Sequence, residues 1–302
     1  MSPRASVARR PTAREELRAA TVSPITPVLR DFSQPWLDLN DRSVLVTGGT
    51  GSFGKHFLKT VIAQYKPRRL IIFSRDELKQ FEMAQEFPIE KYPFIRYFIG
   101  DVRDRDRLDL ALRDVDYVIH AAAMKQVPTA EYNPFECIRT NVFGSRGSVV
   151  PFFKKLADEG AESLPITDPR MTRFWITLTQ GVNFVLSSME MMRGGEIYVP
   201  KIASSTIPQL ASLVSPHLKQ HVIGIRPGEK LHETMIPVDD AHCTVELEDR
   251  YVILQSFATA MRDAYMHRGA KPVAEGFSYS SDTNPEQLDA HGLQNLLQMS
   301  YA

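Results

Sequence analysis

Cysteine is nearly missing from this chain of 302 residues: there are two, Cys137 and Cys243. So few, so far apart, exclude a disulfide framework and a zinc-ligand pattern, and they fit a reducing compartment. A surplus of positive charge is missing too, since Lys+Arg and Asp+Glu both number 36. Without a bulk positive field the chain does not read as a nucleic-acid binder, and any anion must be held by a few placed groups. No stretch approaches the roughly 18 consecutive apolar residues of a membrane span. His217 and His221 stand four apart with no glutamate nearby, which suits surface positions better than a metal site. What remains, 43% hydrophobic and 24% charged residues, is the composition of an ordinary globular protein.

Residues 1–42 differ from the rest. "MSPRASVARRPTAREELRAATVSPITPVLRDF" is rich in Arg, Ala, Ser, Thr and Pro and shows no sustained periodicity. It reads either as a disordered extension or as an organellar targeting segment, the second weakened by Glu15 and Glu16. Without such targeting the chain is expected in the cytoplasm.

From Ser43 the pattern becomes strand, helix, strand, helix, four times over, which predicts a doubly wound parallel α/β sheet. The strands are "SVLVT" (43–47), "RLIIFSRDE" (69–77), "FIRYFIGDV" (94–102) and "VDYVIHAAA" (115–123). Between the first strand and its helix lies "GGTGSFGK", with Gly48, Gly51 and Gly54 spaced three apart. Such glycines supply a tight turn, room for backbone to touch a pyrophosphate, and close helix packing. The helix end behind them offers unpaired N–H groups to phosphate. At the end of the second strand an NAD site usually carries a carboxylate for the ribose 2′-OH. Here stand Ser74 and Arg75, which suit a 2′-phosphate, so NADP is the expected cofactor. Asp76 and Glu77 read as the start of the next helix. Asp101 reads two ways, as acceptor from an adenine amino group or as N-cap of the helix around 107–112.

These blocks resemble the extended short-chain dehydrogenase/reductase superfamily and, within it, the inverting UDP-N-acetylglucosamine 4,6-dehydratases of polysaccharide biosynthesis. "VTGGTGSFGK", "SRDELKQFEMA", "YFIGDVRD", "HAAAMKQVPTAEYNPFECIRTN", "PITDPRMTRFWITL" and "GIRPGEKLHETMIP" carry the resemblance across most of 43–237. It implies an NADP-dependent lyase that oxidises the sugar at C4, removes water across C5 and C6, and returns hydride to C6 with inversion at C5. It implies a loop contact to the cofactor from Gly48, Thr50, Gly51, Ser52, Phe53 and Gly54. It adds Ser74, Arg75, Asp76, Glu77, Leu78 and Lys79 at the ribose. Asp101 and Val102 would lie at the adenine, with Ala121, Lys125 and Val142 along the fourth strand's end. For the UDP-sugar it implies Asn141, Arg146, Gly147, Ser148 and Val149, then Arg173, Arg226 and Glu229. A planar guanidinium meets diphosphate oxygens two at a time, which is why arginine suits that place.

The superfamily's base is a tyrosine with a lysine four residues on, along one helix face. None of this chain's tyrosines has one. The residues four after Tyr117, Tyr132 and Tyr198 are Ala121, Glu136 and Ile202, and the others fare no better. The family's Thr-Asp-Lys block is missing as well, so no catalytic residue is assigned. In the family a first "NV" precedes the fifth strand and a second "NV" follows the sixth, just before "GSRGSVVPFF". Here Asn141 and Val142 serve as both, so about two βα units, on the order of 60 residues, are expected to be missing through a deletion or mis-splicing. The expected organisation is an extension over 1–42, a truncated NADP-binding part over 43–142, and a smaller α/β sugar-nucleotide part over 143–302. Two other readings stay open. The chain is a pseudoenzyme holding NADP or a UDP-sugar, in a homo- or hetero-oligomer, or it is a product that does not fold.

Overall fold

The computed structural model describes residues 29–33, 35–122, 149–225, 229–255 and 259–301. Lys125, Asn141, Val142, Arg146, Gly147, Ser148 and Arg226, all expected at the site, lie outside them. Tyr132 and Cys137 do too.

The first four strands form one parallel sheet in the order β3-β2-β1-β4. They are β1 (Ser43–Thr47), β2 (Arg69–Ser74), β3 (Ile95–Ile99) and β4 (Tyr117–His120), the first with the bounds expected from the sequence and the other three shorter. Val44 pairs with Leu70 on one side and Tyr117 on the other, and Leu70 continues to Ile95. Every residue of β1 is buried, as expected of a central parallel strand covered on both faces. On one face Val44, Val46, Leu70 and Ile72 pack under Phe57, Leu58 and Val61 of helix α1 (Ser52–Gln64). The opposite face, with Leu45, Ile71 and Phe73, rests on Ala111 of α3 (Arg105–Ala111) and on Leu108. Between β2 and β3 runs α2 (Glu77–Glu86), capped by Asp76, whose carboxylate accepts from the Lys79 N–H at 3.0 Å.

Among the described residues no fifth or sixth strand joins this sheet. β4 is its edge, and Val118 is 49% exposed there. After α4 (Val149–Asp158), strand β5 (Ser163–Ile166) pairs instead with β9 (Lys219–Val222) in a separate two-stranded sheet. His221 lies on that exposed strand, where its Nδ1 meets the Ser163 hydroxyl at 2.9 Å. Between them come β6 (Thr172–Phe174), α5 (Leu178–Met191), β7 (Ile197–Pro200), β8 (Ser204–Thr206) and α6 (Ile207–Val214). Both helices open with a capping box, Thr177 with Gln180 and Thr206 with Gln209, which satisfies N–H groups that a helix start leaves unpaired. The rest comprises β10 (Thr234–Ile236), β11 (Thr244–Glu246), β12 (Arg250–Ile253), α7 (Thr259–Met266), β13 (Lys271–Pro272), β14 (Tyr279–Ser280) and α8 (Ala290–Tyr301). A second, antiparallel sheet has the order β13-β11-β12-β7.

Three expectations need correction. Residues 29–33 and 35–42 are not a loose extension, because Phe32 and Leu39 are buried in two cores. Arg30 forks onto Glu286 at 2.8 and 2.7 Å, and Leu37 donates its N–H to the Leu186 carbonyl at 3.2 Å. The N-cap of α3 is Asp104, which accepts from the Arg107 N–H at 3.0 Å, and not Asp101. Finally, the division after residue 142 is crossed by α5, whose Val182 and Leu186 complete the core beneath α1. There the His56 and Thr179 side chains hydrogen-bond at 3.1 Å.

Buried polar groups knit the second part. Arg250, 2% exposed, forks onto Asp249, donates to the Ser187 and Ser188 hydroxyls at 2.8 and 2.9 Å, and lies over the Phe184 ring. Such satisfied networks fix one packing, because each donor left unpaired in a core costs a large penalty.

Candidate dinucleotide site and its relatives

The glycine loop sits at the carboxyl end of β1, and its three glycines have separable roles. Gly48 has φ +63°, and a Cβ there would lie 2.8 Å from the Ala122 backbone, so the turn presses on the end of β4. Ala121 is part of that contact. A Cβ on Gly54 would come within 2.3 Å of the Gly49 carbonyl, which is how α1 packs so close to the loop. Gly51 meets only the Gly48 carbonyl, at 3.2 Å, and its side faces open space. As the N-cap of α1 it makes no side-chain cap, so the dipole end and the amides behind Ser52 face outward. Phe53 turns inward and stacks on Phe57 with ring centres 6.3 Å apart.

Polar side chains gather at the carboxyl end of β2. The Thr50 and Ser74 hydroxyls hydrogen-bond at 2.8 Å, and the Ser74 hydroxyl accepts from the Asp76 N–H at 3.3 Å. Gln80, which sequence reasoning missed, is buried and donates to the Ser74 and Phe98 carbonyls at 3.0 and 2.8 Å, tying β2 to β3 beneath the loop. Its signal was weak, one polar residue on the inner face of an amphipathic helix. Arg75, Glu77, Leu78 and Lys79 are exposed, and Lys79 pairs with Asp76 at 3.0 Å. Arg75 Nη1 lies 3.9 Å from Asp101 Oδ2, so the two residues converge from adjacent strand ends. Val102 is half-buried against the Leu45 and Ile71 cluster. These residues fit a dinucleotide: an open glycine, an uncapped helix start and an exposed guanidinium stand side by side.

In the second part Arg173 spends its donors on protein. It donates to the Leu231 carbonyl at 3.1 Å and the Lys230 carbonyl at 3.0 Å, with Glu233 at 3.6 Å. It therefore braces Lys230 and Leu231, which follow Glu229 directly. Val149 lies at the start of α4.

The tyrosines give the chemistry its sharpest test. A base beside a nicotinamide needs a phenol shifted down toward neutrality. Burial pushes Tyr65, Tyr198, Tyr265 and Tyr279 upward, and lifts Tyr97 and Tyr251 to about 12. Tyr265 also donates to the Glu196 carboxylate at 3.0 Å, which favours its protonated form. Among the described residues no group of His, Cys, Asp or Glu could hold a metal ion.

The parallel sheet, glycine loop and Ser-Arg strand end together define an extended short-chain dehydrogenase/reductase. The solved structure of Pen from Bacillus thuringiensis is similar, with a TM-score of 0.76 and 28% identity over 88% of this chain and 99% of that one. DesIV, a dTDP-glucose 4,6-dehydratase from Streptomyces venezuelae solved with NAD bound, shares the fold at 19% identity and a TM-score of 0.51, covering 63% of this chain and 86% of that one. A family model described as "Polysaccharide biosynthesis protein" matches residues 44–146 and 141–255. The UDP-N-acetylglucosamine 4,6-dehydratase (inverting) of Campylobacter jejuni is 48% identical over 318 residues, spanning 82% of this chain and 94% of that protein. The chain belongs to this inverting dehydratase family, which modifies nucleotide sugars for polysaccharide biosynthesis. No helix among its described residues is long and apolar enough to cross a membrane.

The same matches locate what is missing. Both segments of the family match claim residues 141–146, the stretch that begins with the single "NV" of Asn141 and Val142. An alignment of 318 positions that uses 82% of 302 residues leaves about 70 positions of the relative without a counterpart, the length of about two βα units.

Proposed function

We propose that this chain holds NADP and a UDP-sugar of the family's kind but does not complete the dehydratase reaction on its own. The observation that carries this reading is the doubled family match at 141–146, at the point where the family's Tyr-x-x-x-Lys helix would be encoded. NADP would lie on the part spanning 43–142, its pyrophosphate at Gly51 and the start of α1, its 2′-phosphate at Ser74 and Arg75. When bound, the nicotinamide would take up and return the hydride. The sugar nucleotide would lie on 143–302, where the resemblance assigns it Arg146, Arg226 and Glu229, with Arg173 bracing Lys230 and Leu231 beside Glu229. The chain's own residues thus bind and orient. What they lack is a group to take the C4 hydroxyl proton and a pair to move protons at C5 and C6. Each such acid or base contributes roughly 10²–10⁴-fold, so losing several leaves no measurable turnover. The retained loop geometry favours a binding role, alone or beside an intact relative in an oligomer.

The test supplies UDP-N-acetylglucosamine and NADP to the purified chain in deuterated water and follows mass at C5. No incorporation and no 4-keto-6-deoxy product are expected. Inserting the two βα units of the Campylobacter jejuni relative at Asn141–Val142 should restore both. Clear turnover by the unaltered chain would overturn the reading.

A further inference from the structure

At the ribose end of the loop one carboxylate stands between two guanidiniums. Arg103 grips Asp101 as a fork, Nε donating to Oδ1 at 2.8 Å and Nη2 to Oδ2 at 2.5 Å. The Arg103 backbone N–H adds a third donor to Oδ1 at 3.0 Å. Arg75 Nη1 stays 3.9 Å from the same Oδ2, beyond hydrogen-bonding reach. The side chains of Arg103 and Asp101 are 30% and 27% exposed, while Arg75 is 64% exposed. Asp101 is therefore committed to Arg103, and Arg75 is turned to solvent.

We propose that Arg103 is a positioning residue that sets cofactor preference: by engaging Asp101 it leaves Arg75 open to an adenosine 2′-phosphate. This rests on the assignment of that phosphate to Arg75. The reasoning is electrostatic. A phosphomonoester carries nearly two negative charges, and a carboxylate free to swing onto Arg75 would both compete for the guanidinium and repel the ester. With Arg103 in place, the Asp101 charge is matched and both of its oxygens are engaged by the fork. NAD has a neutral hydroxyl at that position, so Arg103 acts on the ratio of the two affinities more than on dinucleotide binding as a whole. The same Asp-x-Arg fork occurs between Asp168 and Arg170, with donors at 2.8, 3.0 and 2.8 Å. It lies in the carboxy-terminal half and serves as an internal control.

The experiment titrates the full chain with NADP and with NAD and reads the ratio of dissociation constants. Arg103→Ala is expected to shrink the NADP preference by about tenfold, the equivalent of one lost charge-assisted contact. Adding Asp101→Asn to it should recover most of the preference, because the stray charge is gone, and Arg170→Ala should leave the ratio unchanged. Arg103→Lys, which keeps the charge without the fork, gives the same comparison if the alanine variant proves insoluble, with a smaller expected drop. Wild-type preference for NADP with an unchanged ratio in both Arg103 variants would overturn this inference alone. Failure of Asp101→Asn to rescue would also overturn it. Equal wild-type affinities for the two dinucleotides would remove the Arg75 assignment, and this inference with it.

Discussion

Replacing Gly54 and Gly51 by alanine, one at a time, should separate a glycine required by the fold from one required by the ligand. At Gly54 the new methyl would meet the Gly49 carbonyl oxygen at 2.3 Å and the Gly49 Cα at 2.4 Å. An ordinary C···O approach is about 3.3 Å, so α1 must retreat from the loop by roughly 1 Å. Overpacking of this kind costs about 1–3 kcal/mol, offset by about 1 kcal/mol of helix propensity gained over glycine. A net loss of up to about 2 kcal/mol is expected, read as a lower denaturant midpoint at unchanged slope. The same retreat moves the helix amides off the phosphate position, so NADP affinity should fall with it. At Gly51 the backbone, φ −74° and ψ 171°, is open to any residue. A methyl there meets only the Gly48 carbonyl at 3.2 Å, and stability should stay within about 0.5 kcal/mol of wild type. Yet that methyl would occupy the space proposed for the pyrophosphate, so NADP affinity should drop by about tenfold or more. Equal stability of Gly54→Ala and wild type, or undiminished NADP binding by Gly51→Ala, would refute the division of roles.

Arg250→Ala should destabilise the chain by about 3–5 kcal/mol in denaturant titration, since it leaves Asp249 half-buried without its fork and the Ser187 and Ser188 hydroxyls without a donor. Acid should act through Asp101, whose carboxyl the Arg103 fork lowers from 3.8 to about 2. Its folded pKa lies below its unfolded one, so its stabilisation is fully present above about pH 3.8 and lost as pH falls through about 2. Stability measured between these limits should fall less steeply in Asp101→Asn than in wild type.

The features legible in the sequence were those whose cause is local. "VLV" and "LIIF" read as buried strands because β-branched runs of that length have few other uses. The glycine spacing read correctly because the sterics of a strand-to-helix turn leave little choice. Arg75 could be placed at a strand end by counting. Long-range packing was not legible. Phe32, Trp36 and Leu39 follow a stretch of drifting composition, and only their partners across the chain show that they belong to the cores. The cap of α3 could not be settled from "GDVRDRDRL", which offers Asp101, Asp104 and Asp106 within six residues, and only geometry shows which one meets the helix N–H. Arg250 opens a strand in "EDRYVIL" and looks like a surface charge; two serines on α5 make it a core residue. In the second part Arg173 was expected at the site from its block, and its role as a brace was not legible, since backbone carbonyls leave no mark in the sequence.

The placement of α5 has a consequence for how the chain leaves the ribosome. The fourth strand ends at His120, but α5, which covers the α1 side of that sheet, begins only at Leu178. At a synthesis rate of about 5–20 residues per second, the interval of about 60 residues lasts several seconds. During that time Phe57, Val61 and their neighbours lack their lid, although every strand beneath them is already made. A nascent chain in this state presents an apolar surface to chaperones before any cofactor site can close, and slowing translation beyond His120 would lengthen that exposure.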